Sequence, residues 1–305
     1  MELTTLILLT IITAATPLII AGLGEHVVER AGVLNLGVEG MMIMGASVGF
    51  AGAVIFDNSY VGLLCGTLAG AVMAGVFAAF ALGLATNQVA TGLAVTIFGL
   101  GLAGLLGAPY VGQPRPVVAP IAIPLLSDLP VIGRALFKQD IVVYASFALI
   151  AGTAYVLNST RVGLILRGVG ESHGSSHALG LPVLKVRLLA VLFGGLCAGL
   201  AGAYLSLIYT RFWSPGMTAG RGWIALALVV FAAGHVWRLA AGAYLFGAIL
   251  VAQLHAQAGA IGVPAQFLSM LPYLMTIIAL VVLSISGRRG AGAAGSLGQP
   301  FVPDR

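Results

Sequence analysis

Three short glycine-containing patterns look like enzyme motifs, but their surroundings argue against catalysis in each case. GLGLAG at Gly99–Gly104 matches a dinucleotide-binding fingerprint, which must follow a strand and open a soluble βαβ unit, whereas here it lies in an apolar helix. GASVG at Gly45–Gly49 and GESHG at Gly170–Gly174 match the pattern around a hydrolase nucleophile. The first lies in an apolar stretch where small residues serve helix packing, and the second follows no strand. We therefore predict no catalytic residues.

Two histidines and a carboxylate are close enough in sequence to suggest metal binding. His173 and His177 are four residues apart, which is the spacing of a helical zinc-ligand pair, and Glu171 lies nearby. A zinc site also needs a third well-placed ligand and a supporting shell of hydrogen bonds. We interpret these residues as neutral, solvent-exposed loop histidines and predict no metal site.

The sequence contains no phosphate-binding loop of the G-x-x-x-x-G-K-[ST] type. Its only lysines are Lys138 and Lys185, and neither follows a glycine. Because that motif needs the lysine to reach the nucleotide phosphates, this chain is not expected to bind ATP. We therefore predict no cofactor for this chain, and any ATP-driven step would need another chain to bind the nucleotide.

Polar residues cluster in two segments that otherwise read as membrane-embedded. Gly24–Met42 mixes Glu25, His26, Glu29, Arg30, Asn35 and Glu39 with apolar residues, and Phe212–Ala225 contains Thr218 and Arg221. Both segments end in a glycine step before an apolar run, at Gly37–Gly40 and Gly220–Gly222. Ionisable residues at membrane depth indicate functional sites by default, although ordinary loops with charged anchors would give the same pattern. If the two segments belong to inverted repeats with discontinuous helices, they approach the midplane from opposite sides.

Composition identifies the elements that must hold these residues. The chain has 305 residues, of which 60% are hydrophobic and 8% charged, and its mean hydropathy is +1.08. Soluble globular proteins carry about 25% charged residues, so this chain has too few charges for a water-facing surface. Its 43 glycines suit close packing of membrane helices. The sequence predicts an all-α polytopic transmembrane bundle, and its net charge of +5 is better explained by cytoplasmic loops than by nucleic-acid binding.

Nine apolar stretches are countable, within a range of eight to ten spans that the length allows. The seventh is short and predicts a broken or tilted helix. The stretches are Thr4–Leu23, Gly40–Phe56, Val61–Leu84, Val89–Gly107, Ile141–Leu157, Leu188–Leu207, Trp223–Ala233, Leu239–His255 and Met270–Ile285. The proline-rich region Ala108–Asp140 predicts an irregular external cap rather than a span.

Loop charge predicts the orientation and the domain limits. Nine of the 14 Lys and Arg residues fall on one side of the predicted topology, which favours a cytoplasmic C-terminus and, with nine spans, an external N-terminus. The transmembrane domain is expected over 1–286, with a cytoplasmic loop at about 158–187. The Gly/Ala/Pro-rich tail over 287–305 is expected to be disordered.

Five segments in order carry a resemblance to a known family. They are TPLIIAGLGEHVVERAGVLNLGVEGMMIMGA, TNQVATGLAVTIFGLGL, RVGLILRGVGESHGSSHALGLPVLKVRLLAVLFGGLCAGLAGAYL, MTAGRGWIALALVVF and QFLSMLPYLMTIIAL. The chain resembles permeases of the branched-chain amino acid/sugar ABC importer superfamily, and most closely the nucleoside/simple-sugar branch. The likeness extends from Thr16 to about Leu283. Thr96 stands where that branch usually has asparagine, and Glu171–Ser176 departs from the usual E-N-P-x-A-A, although Ser172 can still cap a helix.

The resemblance implies an inner-membrane permease that works by alternating access with several partners. These are a second permease chain, more often different than identical, cytoplasmic ATPase subunits and an external substrate-binding protein. The expected substrate pathway comprises Asn35, Gly37, Glu39, Asn87, Gln88, Thr218, Gly220 and Arg221. The expected ATPase coupling residues are Arg167, Glu171, Ser172, Leu179 and Gly180.

Two other classes of function stay open at the level of the sequence. An ion-coupled secondary transporter would need an ionisable group inside the membrane, and Glu39 is the strongest candidate. A structural membrane protein would explain the apolar helices but not the five ordered motifs. Nucleosides and sugars both present hydroxyls, so the sequence does not distinguish them as substrates.

Overall fold

The computed structural model describes residues 2–113, 118–122, 137–258, scattered positions between 264 and 281, and 294–303. Within these ranges the chain is almost entirely helical. Its helices are α1 (Glu2–Arg30), α2 (Val38–Ile55), α3 (Ser59–Ala78), α4 (Gln88–Gly107), α5 (Ile141–Ser159), α6 (Arg161–Glu171), α7 (His173–Ala178), α8 (Val183–Tyr204), α9 (Arg221–Ala232) and α10 (Val236–Ala258). A π-helical turn extends α3 over Ala79–Gly83 and α8 over Leu205–Tyr209, and a 3₁₀ turn at Ala108–Tyr110 follows α4.

Seven of the described helices are long and apolar enough to span a membrane: α1 to α5, α8 and α10. They match predicted spans one to six and eight. The predicted seventh span is α9, which has 12 residues and is short, as its apolar run indicated. The predicted ninth span, Met270–Ile285, lies largely outside the described residues.

The first helix is longer than the sequence analysis predicted. A span was expected over Thr4–Leu23, but α1 continues to Arg30 and includes Glu25, His26 and Glu29. Glu25 and His26 are each 1% exposed, so they are buried against neighbouring helices rather than in a loop. The apolar run ends at Leu23, whereas the helix continues because protein, rather than lipid, covers these polar side chains.

Helix α8 lies at the centre and packs on α1, α2 and α3. Backbone approaches backbone here: a Cβ added at Gly70 of α3 would lie 2.2 Å from the carbonyl oxygen of Gly195 of α8. A Cβ at Gly199 would lie 2.4 Å from the carbonyl oxygen of Gly66. The glycine pairs, each spaced by four residues, therefore allow α3 and α8 to touch along one stripe, as small residues do in membrane helices.

The region between α4 and α5 contributes one short pair of strands, β1 (Ile121–Ala122) and β2 (Lys138–Gln139). They are antiparallel, with Ile121 opposite Gln139 and Ala122 opposite Lys138. Asp140 follows β2 and caps α5 by accepting hydrogen bonds from the amides of Val142 (2.9 Å) and Val143 (3.0 Å). The predicted irregular cap, Ala108–Asp140, otherwise lies in part outside the described residues.

Candidate functional site

The two polar segments singled out in the sequence meet at one buried carboxylate. Glu39, in the first turn of α2, is 4% exposed. Its Oε1 accepts hydrogen bonds from the Thr218 hydroxyl (2.6 Å) and the Gly220 amide (3.0 Å), and its Oε2 accepts one from the Gly222 amide (2.7 Å). The structure therefore brings residues 35–39 close to residues 218–221, as the sequence predicted. We call this contact of Glu39 with Thr218, Gly220 and Gly222 the junction.

The junction places a negative charge at the start of helix α9. Gly220 is the N-cap residue and Gly222 lies in the first turn, where amide groups have no partner inside the helix. A carboxylate satisfies such amides and interacts favourably with the positive end of the helix dipole. Three hydrogen bonds to a charged acceptor, each worth about 1.5–3 kcal/mol, offset the cost of burying Glu39. The carboxylate thus links the starts of two helices that are far apart in sequence.

Two glycines make the junction possible. Gly220 has φ of +79°, in the left-handed region that favours glycine. A Cβ added at Gly222 would lie 2.7 Å from the Glu39 Cα atom and 2.7 Å from its carboxylate Oε2. Any side chain at Gly222 would therefore push α9 away from α2.

The loop before α2 has its own polar support. The Asn35 side-chain oxygen accepts a hydrogen bond from the Gly37 backbone amide at 2.9 Å. The backbone amide of Asn35 donates to Glu25 Oε1 at 3.3 Å. Asn35 is fully buried and Gly37 is the N-cap residue of α2. Thr96, which replaces the usual asparagine of the resembled branch, donates its hydroxyl hydrogen bond to the Leu36 carbonyl at 3.0 Å. These contacts set the direction in which α2 presents Glu39.

Arg221 does not join the Glu39 contact. One of its terminal nitrogens donates to the Met217 carbonyl at 3.1 Å, and its guanidinium lies 5.7 Å from the centre of the Tyr209 ring. Cations over aromatic rings at this distance are attracted by the electron-rich face. Arg221 therefore points away from the junction towards Tyr209.

Tyr209 is part of a polar cavity that the sequence analysis missed. The cavity has a volume of about 880 Å³. Its lining combines hydroxyl, amide and charged groups with a few apolar side chains: Leu9, Thr10, Thr13, Val118, Pro120, Lys138, Gln139, Asp140, Tyr204, Ile208, Tyr209 and Arg211. Small-molecule sites commonly have volumes of about 300–1,000 Å³. The lining comes from α1, the residues before β1, β2 with the residue after it, and the end of α8 with its π turn and the residues beyond. No short sequence pattern connects these regions.

Asp140 is the most constrained polar group of this cavity. Besides capping α5, its Oδ2 accepts a hydrogen bond from the buried Tyr204 hydroxyl at 3.4 Å. Burial raises the pKa of Asp140 above its ordinary value, and the hydrogen bonds from the Val143 and Val142 amides and from Tyr204 oppose that rise. The carboxylate is therefore held in one position at the cavity wall.

Asn87 and Gln88, two residues of the expected pathway set, lie away from both the junction and the cavity. Asn87 is the N-cap of α4, and its side-chain oxygen accepts a hydrogen bond from the Ala90 amide at 3.0 Å. Gln88 is 1% exposed, accepts from the Leu34 amide at 2.8 Å and donates to the Gln299 carbonyl at 3.4 Å. In the structure Asn87 caps its own helix, and Gln88 binds two other parts of the chain.

The expected coupling residues form two short consecutive helices. Arg167 and Glu171 both lie in α6, where the Arg167 Nε donates to the Gly163 carbonyl at 3.3 Å. Ser172 is the N-cap of α7 and accepts from the Ser175 amide at 3.2 Å, which confirms its predicted capping role. Leu179 is 81% exposed after α7, and Gly180 has φ of +80°. The Leu179 side chain, just after α7, is therefore an exposed apolar group on this part of the protein.

The histidine pair lies on α7 rather than in a loop. The His173 and His177 rings both meet Phe301 edge-on, at centroid distances of 5.2 and 5.4 Å. Among the described residues, no group of three or more His, Cys, Asp and Glu side chains is arranged to hold a metal ion. Burial and then the nearby Arg187 lower the pKa of His173. Both effects favour the neutral form of this imidazole.

The fold and these sites define a polytopic helical membrane protein with a buried junction and a polar cavity, and comparison with known proteins gives the family. The chain matches the family described as the permease component of branched-chain amino acid transport systems over residues 7–280. It therefore belongs to that family and is a membrane permease subunit of an ABC importer, not an enzyme. Membership also implies ATPase and substrate-binding partners.

Three relatives are informative. The putative glucose ABC transporter permease protein TsgC13 of Haloferax volcanii is 43% identical over 251 residues, which cover 81% of this chain and 76% of that protein. The guanosine ABC transporter permease protein NupQ of Bacillus subtilis is 32% identical, with 94% and 93% covered. A second guanosine permease of the same organism, NupP, is 22% identical, with 89% and 78% covered.

Proposed function

We propose that this chain translocates hydroxyl-rich solutes, namely nucleosides or simple sugars, through the inner membrane by alternating access. The observation that carries the proposal is the cavity of about 880 Å³ with its hydroxyl, amide and charged lining. Such groups match the several hydroxyls that a sugar or a ribose presents. The names of the related permeases, glucose for one and guanosine for two, support the same substrate class.

In this proposal the cavity receives solute and the junction transmits movement. Tyr209 lines the cavity and contacts Arg221, which is the first residue of α9. Glu39 binds the start of the same helix and belongs to α2. A shift of α9 would therefore change the cavity wall and pull on α2 together. Asn35, Gly37, Thr218 and Gly220 support this connection rather than contacting solute, and α2 and α9 are counterparts in inverted repeats.

Energy is supplied by a separate ATPase, because the sequence has no phosphate loop. The ATPase contacts α6 and α7, with Arg167, Glu171, Ser172, Leu179 and Gly180 at the contact. This places α7 and the C-terminus in the cytoplasm, as the loop charges favour. A second, different permease chain completes the membrane part, and the presence of two guanosine permeases in one organism supports a heterodimer.

Ion coupling by Glu39, the alternative mechanism, is disfavoured by the junction. Both carboxylate oxygens already accept hydrogen bonds from the chain. A coupling carboxylate must exchange a proton or an ion during each cycle. Glu39 would have to release the start of α9 each time it did so.

The test is purification of the tagged chain from its native host, followed by identification of the bound subunits and uptake measurements in proteoliposomes. We expect an ATPase and a second permease to co-purify, and labelled nucleoside or hexose to enter only with ATP on the ATPase side and binding protein on the other. Uptake driven by a proton or sodium gradient without ATP would contradict the proposal.

Orientation is tested separately: in a background free of Cys65 and Cys197, Ser175→Cys should resist an impermeant thiol reagent in intact cells.

A further inference from the structure

The last described residues return to the body of the protein instead of extending away from it. The Ser296 amide donates to the Gly170 carbonyl at 2.9 Å, and the Gly298 amide donates to the Gly32 carbonyl at 3.3 Å. Ser296 is 3% exposed, which differs from the disorder expected for the tail 287–305. We call residues 294–303 the C-terminal segment. It contacts the end of α6 and the turn after α1.

A buried cation explains why the C-terminal segment stays in this position. Arg187, near the start of α8, is fully buried. Its guanidinium donates to the Ala31 carbonyl (3.2 Å), the Gln299 carbonyl (3.0 Å) and the Ser296 hydroxyl (3.3 Å). Two of these three acceptors belong to the C-terminal segment. If the segment left, a buried charge would lose them, and this loss is costly.

The same segment covers one face of α7. The Phe301 ring contacts both His173 and His177, which are four residues apart and lie on one side of the helix. Beyond these contacts two apolar side chains stay bare: Leu179 is 81% exposed and Val302 is 69% exposed. Leu179 lies two residues after His177 and Val302 directly follows Phe301, so the two side chains flank the exposed surface at the Phe301–His177 contact.

The neighbours of this surface are polar, which argues against lipid as its occupant. Gly174, Ser175, His177 and Gln299 are exposed around it. A lipid-facing surface would leave such groups without hydrogen-bond partners. Bare apolar side chains with a polar rim are typical of a protein contact.

We propose that the ATPase subunit docks on a composite surface made by α7 and the C-terminal segment, with Leu179 and Val302 as its apolar contacts. This rests on the proposed function, which assigns α7 to the ATPase, and it adds the segment to that contact. The segment also links α7 to the rest of the protein: the Gln299 carbonyl accepts from Gln88 at the start of α4 as well as from Arg187 of α8. A push on the composite surface therefore reaches α4 and α8 without passing through α6.

The first experiment compares three single variants in the intact complex. Val302→Asp places a charge on the composite surface, and Leu179→Asp tests α7 alone. Val111→Asp is the matched control, because Val111 is 49% exposed just after the 3₁₀ turn that follows α4, at the end of that helix opposite to Gln88. We measure the amount of ATPase that co-purifies with an N-terminally tagged permease. Val302→Asp and Leu179→Asp should each lower it at least fivefold, while Val111→Asp leaves it unchanged.

The outcomes separate the two proposals. Loss with Leu179→Asp but not with Val302→Asp would overturn the composite surface and leave the α7 assignment standing. No loss with either variant would overturn both.

A second experiment does not require variants that could misfold. A photo-crosslinking amino acid at position 302 should capture the ATPase in the working complex, whereas the same group at Tyr155, which is 65% exposed on α5, should not. Capture of lipid or of the second permease at position 302, or no capture at all, would overturn the proposal.

Discussion

The junction and the Arg187 site, which is Arg187 with its hydrogen-bond acceptors, both hold a charged side chain away from water. The charge is negative in the first and positive in the second. Each buries an ionisable side chain and surrounds it with hydrogen-bonding groups, most of them from the backbone. Glu39 accepts from amides at the start of α9, whereas Arg187 donates to carbonyls that include Ala31, just after the end of α1. Helix starts are positive and helix ends are negative, so the Glu39 carboxylate suits the start of α9 and the Arg187 guanidinium suits the end of α1.

The two sites differ in what completes them. Glu39 obtains all three partners from residues 218–222, next to a helix that packs in the body of the protein. Arg187 obtains two of its partners from the C-terminal segment, which lies more than 100 residues further along the chain. The junction should therefore be a permanent part of the fold, and the Arg187 site should depend on the segment's docking.

The largest expected effect in this comparison is at Gly222. Gly222→Ala would place a Cβ 2.7 Å from the Glu39 Cα atom, and backbone cannot give way as a side chain can. We expect transport to fall at least tenfold and the melting temperature of the purified complex to drop by several degrees. The matched control is Gly101→Ala in α4, where an added Cβ meets nothing within 4 Å. Normal transport with Gly222→Ala would show that α2 and α9 need not stay in contact.

A smaller effect is expected at Glu39 itself. Glu39→Gln keeps the shape of the side chain but replaces one carboxylate oxygen with an NH₂ group. That group cannot accept the hydrogen bond that the oxygen accepts now. Losing one charged hydrogen bond costs about 1.5–3 kcal/mol. Expression should be near normal while transport falls severalfold, as uptake per unit of membrane-inserted protein would show. Unchanged uptake would reduce the junction to an ordinary anchor.

Arg187→Gln should release the C-terminal segment with less effect on the helix bundle. The shorter neutral side chain cannot reach the Ala31 carbonyl and the segment together. A fluorophore on Val302→Cys, in a background lacking the native cysteines, should gain rotational freedom. Arg161→Gln is the control, because Arg161 is exposed at the start of α6. Equal anisotropy in both variants would mean that the segment does not depend on Arg187.

The smallest effect concerns pH. Burial lowers the pKa of His173, and Phe301 of the C-terminal segment packs on this ring. We expect undocking to move that pKa back towards its ordinary value, so that the undocked state binds the proton at higher pH. Docking should therefore be fully favoured above the ordinary histidine pKa of about 6.5 and weaken as pH falls below it. The anisotropy of the same probe should fall on acidification. His173→Gln should remove most of this change; an unchanged response with His173→Gln would contradict the assignment.

The sequence predicted the parts of the fold that depend on local composition. Long apolar runs gave the positions of α2, α3, α4 and α10 within a few residues, and the short run at Trp223 indicated the short helix α9. The approach of 35–39 to 218–221 was also predictable, because the same glycine step before an apolar run in both segments suggested inverted repeats whose broken helices meet. Local signals are sufficient wherever one segment determines its own structure.

Contacts between distant segments could not be predicted in this way. Gly/Ala/Pro composition favours disorder, but Ser296 and the Gln299 carbonyl are held by Arg187, which is 109 and 112 residues away in sequence. The cavity unites Thr10, Asp140 and Tyr209, and none of them stands in a recognisable pattern. Gln88 was assigned to the substrate pathway from the resemblance, whereas its contacts are with Leu34 and Gln299.

In the proposed function, solute enters through the polar cavity and ATP consumed by a separate subunit drives its passage. The most direct measurement is uptake of labelled nucleoside and hexose by proteoliposomes containing the complete complex, comparing wild type with Tyr209→Phe and Asp140→Asn. We predict ATP-dependent uptake of one of these solutes, with its apparent KM raised at least fivefold by one or both variants while basal ATP hydrolysis persists. Unchanged KM in both variants, or uptake that continues without ATP, would contradict the account.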